Sequence, residues 1–202
     1  ELSHALKSAL RKRELEIARD VQRGLLPRFL QAPEGGELVA TSVPAFEVGG
    51  DFYDVLPLPE GRIGLLIGDV AGKGVPAALL MATLLSGFRA VAEGYAGPGA
   101  VLGRLNTFLR SQRTSPGVFA SALYAVYDPA TRTLTYSSAG HPPPFAMPVS
   151  IECGGPVLGL IADFAFTEES TVLPPGTVVA FYTDGLEEAR SGDGVEIEME
   201  AL

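Results

Sequence analysis

The chain carries a single cysteine, Cys153, in 202 residues, which excludes a disulfide framework and any cysteine-rich zinc site. A lone thiol of this kind reads as a buried structural residue and fits a reducing cytoplasm. Positive charge is also scarce: 15 Lys and Arg stand against 24 Asp and Glu, a net charge of −9. Non-specific binding to nucleic acid or to an anionic membrane needs clustered cations, so neither is expected. A negative protein can still accept a phosphorylated partner if cations sit in its site. Long apolar runs are missing too. The longest, Val75 to Phe88, is too short to span a bilayer. No secretory-signal pattern opens the chain, and no repeat or low-complexity segment appears. The first residue, Glu1, already lies in a helical pattern, as expected of a piece cut from a longer protein.

What is present divides into a helical leader and one domain. Residues 1–27 are rich in helix formers and charge, with Leu6, Leu10, Ile17, Val21 and Leu25 near one face and Pro27 where the helix should stop. Arg13 interrupts the stripe, so a single amphipathic helix is expected, packed on the domain or on a second copy of itself. Residues 28–202 form the domain. Strands are expected over 37–44, 51–58 and 62–70, between Gly and Pro punctuation. Helices follow over 75–94 and 98–112. A hairpin is expected over 118–128 and 132–138 around Asp128, Pro129 and Ala130, with further strands at Ile151, 164–173 and 177–183. Strands, two helices and more strands favour an α+β architecture of mostly antiparallel sheets over alternating βαβ units.

Three segments set an acidic residue beside glycine at the edge of an apolar strand. They are Gly49-Gly50-Asp51-Phe52-Tyr53-Asp54, Gly68-Asp69-Val70-Ala71-Gly72-Lys73-Gly74 and Tyr182-Thr183-Asp184-Gly185. Glycine permits the tight turns and close approach that let a strand-end carboxylate reach a cation. Carboxylates without His or Cys suit hard Mg²⁺ or Mn²⁺ rather than zinc. The second segment is not a nucleotide-binding P-loop. Only three residues separate Gly68 from Gly72-Lys73, and Gly74 stands where that loop needs a hydroxyl.

These segments, taken in order, resemble the stage II sporulation E/RsbU branch of the metal-dependent, phosphatase 2C-type protein phosphatases. The run from Glu14 to Pro27 resembles the helix leading into such domains. Ser137-Ser138-Ala139-Gly140-His141-Pro142-Pro143-Pro144 and Gly154-Gly155-Pro156-Val157-Leu158-Gly159 resemble the later signatures. The resemblance implies a sandwich of two antiparallel sheets flanked by helices, with two Mn²⁺ or Mg²⁺ ions at one end. It implies that Asp69 bridges both ions, that Asp51 and the Val70 carbonyl complete one site, and that Asp184 serves the other. Two cations would activate a water for in-line attack on phosphoserine or phosphothreonine. The implied substrate is a phosphorylated anti-sigma-factor antagonist, in signal transduction of the stress-response kind. An upstream sensor and homodimerisation through the N-terminal helix are the other implied partnerships. The alternative is a degenerate domain that binds a partner and regulates without catalysis. A further metal-binding Asp is expected beyond Leu202, and a clipped hairpin turn at Met147–Pro148.

Three other residues carry two readings each. Asp54 should point away from Asp51 and be structural, or reach a metal through water. Lys73 is a solvated loop cation or a phosphate partner. His141, before three prolines, is a turn residue or a proton donor to the leaving oxygen.

Overall fold

The computed structural model describes residues 2–44, 47–94, 97–112 and 118–187. A leading helix, α1 (Leu2–Leu25), precedes strands β1 (Phe52–Pro57) and β2 (Ile63–Val70). Helices α2 (Val75–Ala92) and α3 (Pro98–Ser111) follow, then β3 (Ala120–Asp128), β4 (Thr133–Ala139) and β5 (Phe145–Met147). The described chain ends with β6 (Glu169–Val172), β7 (Val178–Ala180) and a short α4 (Asp184–Glu187). Five strands pair in the order β1-β2-β3-β4-β6 and two in the order β5-β7, all antiparallel. The expected α+β arrangement of two mostly antiparallel sheets is what the chain adopts.

Strand alternation sorts the side chains into two cores. Phe52, Leu66, Val70, Ala120, Ala122, Tyr124 and Val126 face α2 and α3. Ile67, Leu123, Ala125, Leu134 and Tyr136 face the other way, where Val179 and Ala146 of the small sheet pack. Phe88 of α2 meets Tyr124 of β3 edge to face, with ring centroids 5.0 Å apart, a contact worth about 1 kcal/mol beyond area burial. By length and composition α2 could cross a membrane, so the reading that its apolar run is too short does not hold for the whole helix. Its Ala77, Met81, Leu84, Leu85 and Phe88 are spent on the core instead. Glycines precede both core helices, and neither supplies a side-chain cap. The Gly99 amide of α3 instead donates to the Glu168 carboxylate at 3.0 Å, a cap brought from the far end of the chain.

Four strand expectations change. The run 177–183 is strand only over β7. Residues 37–44 form no strand; Val39 and Val43 stand 88% and 85% exposed, so no apolar face holds the segment against a sheet. The expected strand over 164–173 shrinks to β6 because Phe164 and Phe166 turn into the helix-side core, ring against ring. Ile151 is buried in the second core but lies outside any strand. At Met147–Pro148 the chain runs on from β5 through a cis peptide.

Asp54 resolves as structural. It sits on the helix-facing side of β1, 2% exposed, and accepts a 2.6 Å hydrogen bond from Arg89 Nε of α2. Arg89 also donates from Nη2 to the Leu25 carbonyl at 2.8 Å, tying the end of α1 to β1. Arg89→Ala is expected to cost about 2 kcal/mol in urea unfolding, because it strands a buried carboxylate. The double change Arg89→Met with Asp54→Leu should recover part of that loss.

Candidate metal centre

The β1–β2 register sets Phe52 opposite Gly68, so one step further Asp51 faces Asp69. Both lie on the side of the large sheet turned toward the second layer, at its open end. Gly50 is obligatory here. A Cβ at that position would lie 2.6 Å from the Val70 carbonyl oxygen and 2.7 Å from Asp69 Oδ1. The backbone of the first acidic segment therefore rests directly on the carboxylate and carbonyl of the second.

Asp184 arrives from the other sheet. β7 ends at Ala180, and the next residues leave the strand for the mouth of the sandwich. Thr183 Oγ1 donates to Asp51 Oδ2 at 3.2 Å. His141 Nε2 lies 3.0 Å from the Tyr182 carbonyl and Nδ1 lies 2.9 Å from Ser121 Oγ. Ser121 is the register partner of Asp69 on β3. His141 is only 4% exposed, and a ring bonded at both nitrogens is poorly placed to serve as a proton donor to substrate.

Burial pushes the Asp69 carboxyl up to about 7, with the charge of Asp51, its hydrogen bond and the charge of Asp184 adding to the rise; the Val70 amide opposes it. Asp69 thus feels negative charge from both neighbours, the situation a divalent cation relieves. The donor set is carboxylate and carbonyl oxygen, which fits Mg²⁺ or Mn²⁺. Among the described residues no three carboxylate, imidazole or thiolate groups close on one point. A cleft of about 560 Å³ opens over the three aspartates, and Arg19, Arg23 and Lys73 also line it. A cavity of about 460 Å³ elsewhere is lined by Ile63, Leu65, Tyr127 and Phe181 and holds none of these aspartates.

Gln22 is a contact that residue spacing did not single out. Its amide Nε2 donates to the Gly49 carbonyl at 2.6 Å and its Oε1 accepts from the Gly49 amide at 3.1 Å. The only signal was its place in the run from Glu14 to Pro27. Thr183 stood in view inside the third acidic segment, and Ser121 had no signal at all.

Burial holds the His141 imidazole down at about 4, against an ordinary 6.5, while the Tyr182 carbonyl and Asp184 pull the other way. Between those values the unfolded chain takes up a proton that the folded chain refuses, so this stability is complete above 6.5 and is lost as pH falls toward 4. His141→Gln is therefore expected to lose less melting temperature than the unaltered chain between about pH 7 and about pH 5.

Residues 59–202 match the family Stage II sporulation protein E (SpoIIE). Phosphoserine phosphatase RsbU of Bacillus subtilis is 33% identical over 189 residues, covering 91% of this chain and 56% of its own length. Phosphoserine phosphatase RsbP of the same organism is 28% identical over 184 residues, covering 87% and 45%. The chain thus spans about half the length of these curated relatives. Among solved structures, the SiaA-PP2C domain of Pseudomonas aeruginosa aligns with a TM-score of 0.77 at 22% identity, over 95% of this chain and 79% of that one. The RsbU and RsbW domains of a Mycobacterium tuberculosis protein align with a TM-score of 0.64 at 32% identity, over 74% and 42%. The sandwich is the phosphatase 2C fold, and the chain belongs to the Stage II sporulation protein E family.

Proposed function

We propose that this chain is the catalytic domain of a metal-dependent phosphatase that hydrolyses phosphoserine or phosphothreonine on a regulatory protein. The observation that carries the reading is Asp51 facing Asp69 over the Val70 carbonyl, at the floor of a cleft that Asp184 also lines. The relatives named as phosphoserine phosphatases support it. The proposed substrate is a phosphorylated anti-sigma-factor antagonist, as the family resemblance implies.

In this reading Asp69 serves two ions, Asp51 and the Val70 carbonyl complete one site, and Asp184 serves the other. Mn²⁺ or Mg²⁺ held there lowers the pKa of a coordinated water and offsets phosphate charge. The chain's own residues do the rest. Arg19, Arg23 and Lys73 line the cleft and supply the positive charge that a chain of net charge −9 needs to admit a phosphate. The Gln22 amide, gripping Gly49 through both of its atoms, holds the loop that carries Asp51.

The same clamp supports a regulatory role for α1. Leu6, Leu10, Ile17 and Val21 lie 54–63% exposed, so of the apolar stripe only Leu25, at its end, packs on the domain. We assign the exposed remainder to a second copy of the helix, and Gln22 and Arg89 to the transmission of its position, with a sensor preceding it. Gln22→Ala is expected to reduce phosphate release about tenfold with little change in melting temperature.

A second reading, a partner-binding regulator without catalysis, draws on the lack of any three ligating groups at one point among the described residues. Manganese-dependent phosphate release from the phosphorylated antagonist decides between them. Asp69→Asn should cut release by more than about 100-fold, beyond what a residue that only orients ligands costs. Binding of the antagonist without release from the unaltered chain would favour the regulator. Within the phosphatase reading, manganese calorimetry should show a tighter event abolished by Asp51→Asn and a weaker one abolished by Asp184→Asn. Loss of the tighter event in Asp184→Asn alone would reverse the two assignments.

A further inference from the structure

Asp184 lies beyond the last ladder bond of β7, in a segment that strand pairing does not hold. The pairs of β7 with β5 end at Ala180 opposite Phe145. Residues 181–183 belong to no strand or helix, and α4, which starts at Asp184, is a single turn of four residues. The ladder with β5 does not reach this segment. A metal-ligating carboxylate, by contrast, has to be held in place before the ion arrives.

Hydrogen bonds to described residues restrain the segment. The Leu186 amide donates to the Thr183 carbonyl at 3.0 Å, which is internal to it. Thr183 Oγ1 donates to Asp51, a flexible partner that is itself a candidate ligand. The bond from His141 to the Tyr182 carbonyl is anchored in the rigid large sheet. That anchor is deep. The His141 amide donates to Ser138 Oγ at 3.1 Å, and the same hydroxyl donates to the His141 carbonyl at 3.0 Å. Gly140 just before it has φ 68°, and a Cβ there would lie 2.6 Å from Val157 Cγ1, so the turn delivers the ring into the layer between the sheets.

We infer that His141 is a positioning residue, a latch that ties the Asp184 segment to the strand carrying Ser121 and, across the ladder, to Asp69. The bonding pattern dictates the tautomer. A carbonyl can only accept, so Nε2 carries the proton and donates to Tyr182, and Nδ1 accepts from the Ser121 hydroxyl. One imidazole thereby sets the spacing between Asp69 on the large sheet and Asp184 beyond the small one. The ring does this without exchanging its proton, which separates it from a general acid. The role rests on the phosphatase reading for its purpose, but the latch itself can be tested without metal or substrate.

The test uses His141→Ala, His141→Gln and Ser121→Ala in the protein as it stands. A glutamine amide can donate to the same carbonyl, so it serves as the rescuing variant and as the fallback if the alanine variant does not fold. In the metal-free protein, amide hydrogen exchange at Leu186 should speed up about tenfold or more in His141→Ala, while the β1–β2 amides keep their protection. In manganese calorimetry the weaker, Asp184-dependent event should lose about tenfold in affinity, with the Asp51-dependent event unchanged. His141→Gln should recover much of both, and Ser121→Ala should fall between. The pH–rate profile should keep its shape in all three variants as the rate falls.

Unchanged exchange at Leu186 in His141→Ala, or equal losses in both metal events with no rescue by glutamine, would overturn the latch. Loss of one limb of the pH profile in His141→Gln would make the ring a proton donor instead. If the unaltered chain neither binds manganese nor releases phosphate, the phosphatase reading falls, and the exchange result alone decides the latch.

Discussion

Residue 69 is an odd position on a strand whose even positions are taken by the helices. Leu66 and Val70 are buried under α2 and α3, so strand geometry leaves Asp69 on the opposite face, toward the gap between the sheets. Antiparallel pairing with β1 then puts Asp51 beside it, and pairing with β3 puts Ser121 on its other flank. A slip of one residue in either ladder would turn the carboxylates into the helix-side core. The site is therefore a consequence of sheet register, and the apolar residues that specify the register hold the acidic residues in place.

The cost of that placement appears as charge. A carboxylate half out of water, beside two others, resists ionising, and Asp69 carries most of the strain. Asp54, only three residues from Asp51, solves the same problem differently: on the other face of β1 it is buried against Arg89 and needs no ion. Two acidic residues of one segment thus have opposite fates, one paired with Arg89 and one facing Asp69 in the cleft.

Connections from outside the sandwich converge on the same end. α1 grips Gly49 through Gln22 and is gripped at Leu25 by Arg89, while its apolar stripe stays exposed. The helix is thus bonded to the loop of Asp51 and presents an exposed apolar face. His141 plays the corresponding part on the far side, reaching from the large sheet to the segment of Asp184.

Much of this was legible from residue order. The compact apolar run over 62–70, the glycines flanking Asp51 and Asp69, and the alternation of 118–128 and 132–138 around the turn at Asp128 marked β1 to β4 and the acidic ends, because local sterics and burial patterns are written into neighbouring residues. The opposite facing of Asp51 and Asp54 followed from the same rule. Other features were set only by folding. Residues 37–44 alternate weakly, yet no apolar surface received Val39 and Val43. Phe164 and Phe166 left a strand-like run for a core that only the packed helices create. The pairings of Gln22 with Gly49, Glu168 with Gly99, and His141 with Ser121 and Tyr182 join residues 20 to 69 positions apart. Sequence by itself determined which residues could form strands and which carboxylates stood at their ends. Tertiary structure decided which polar groups bond across those gaps, because a hydrogen bond between distant residues depends on where the sheets and helices bring their backbones, and that is a property of the whole packing.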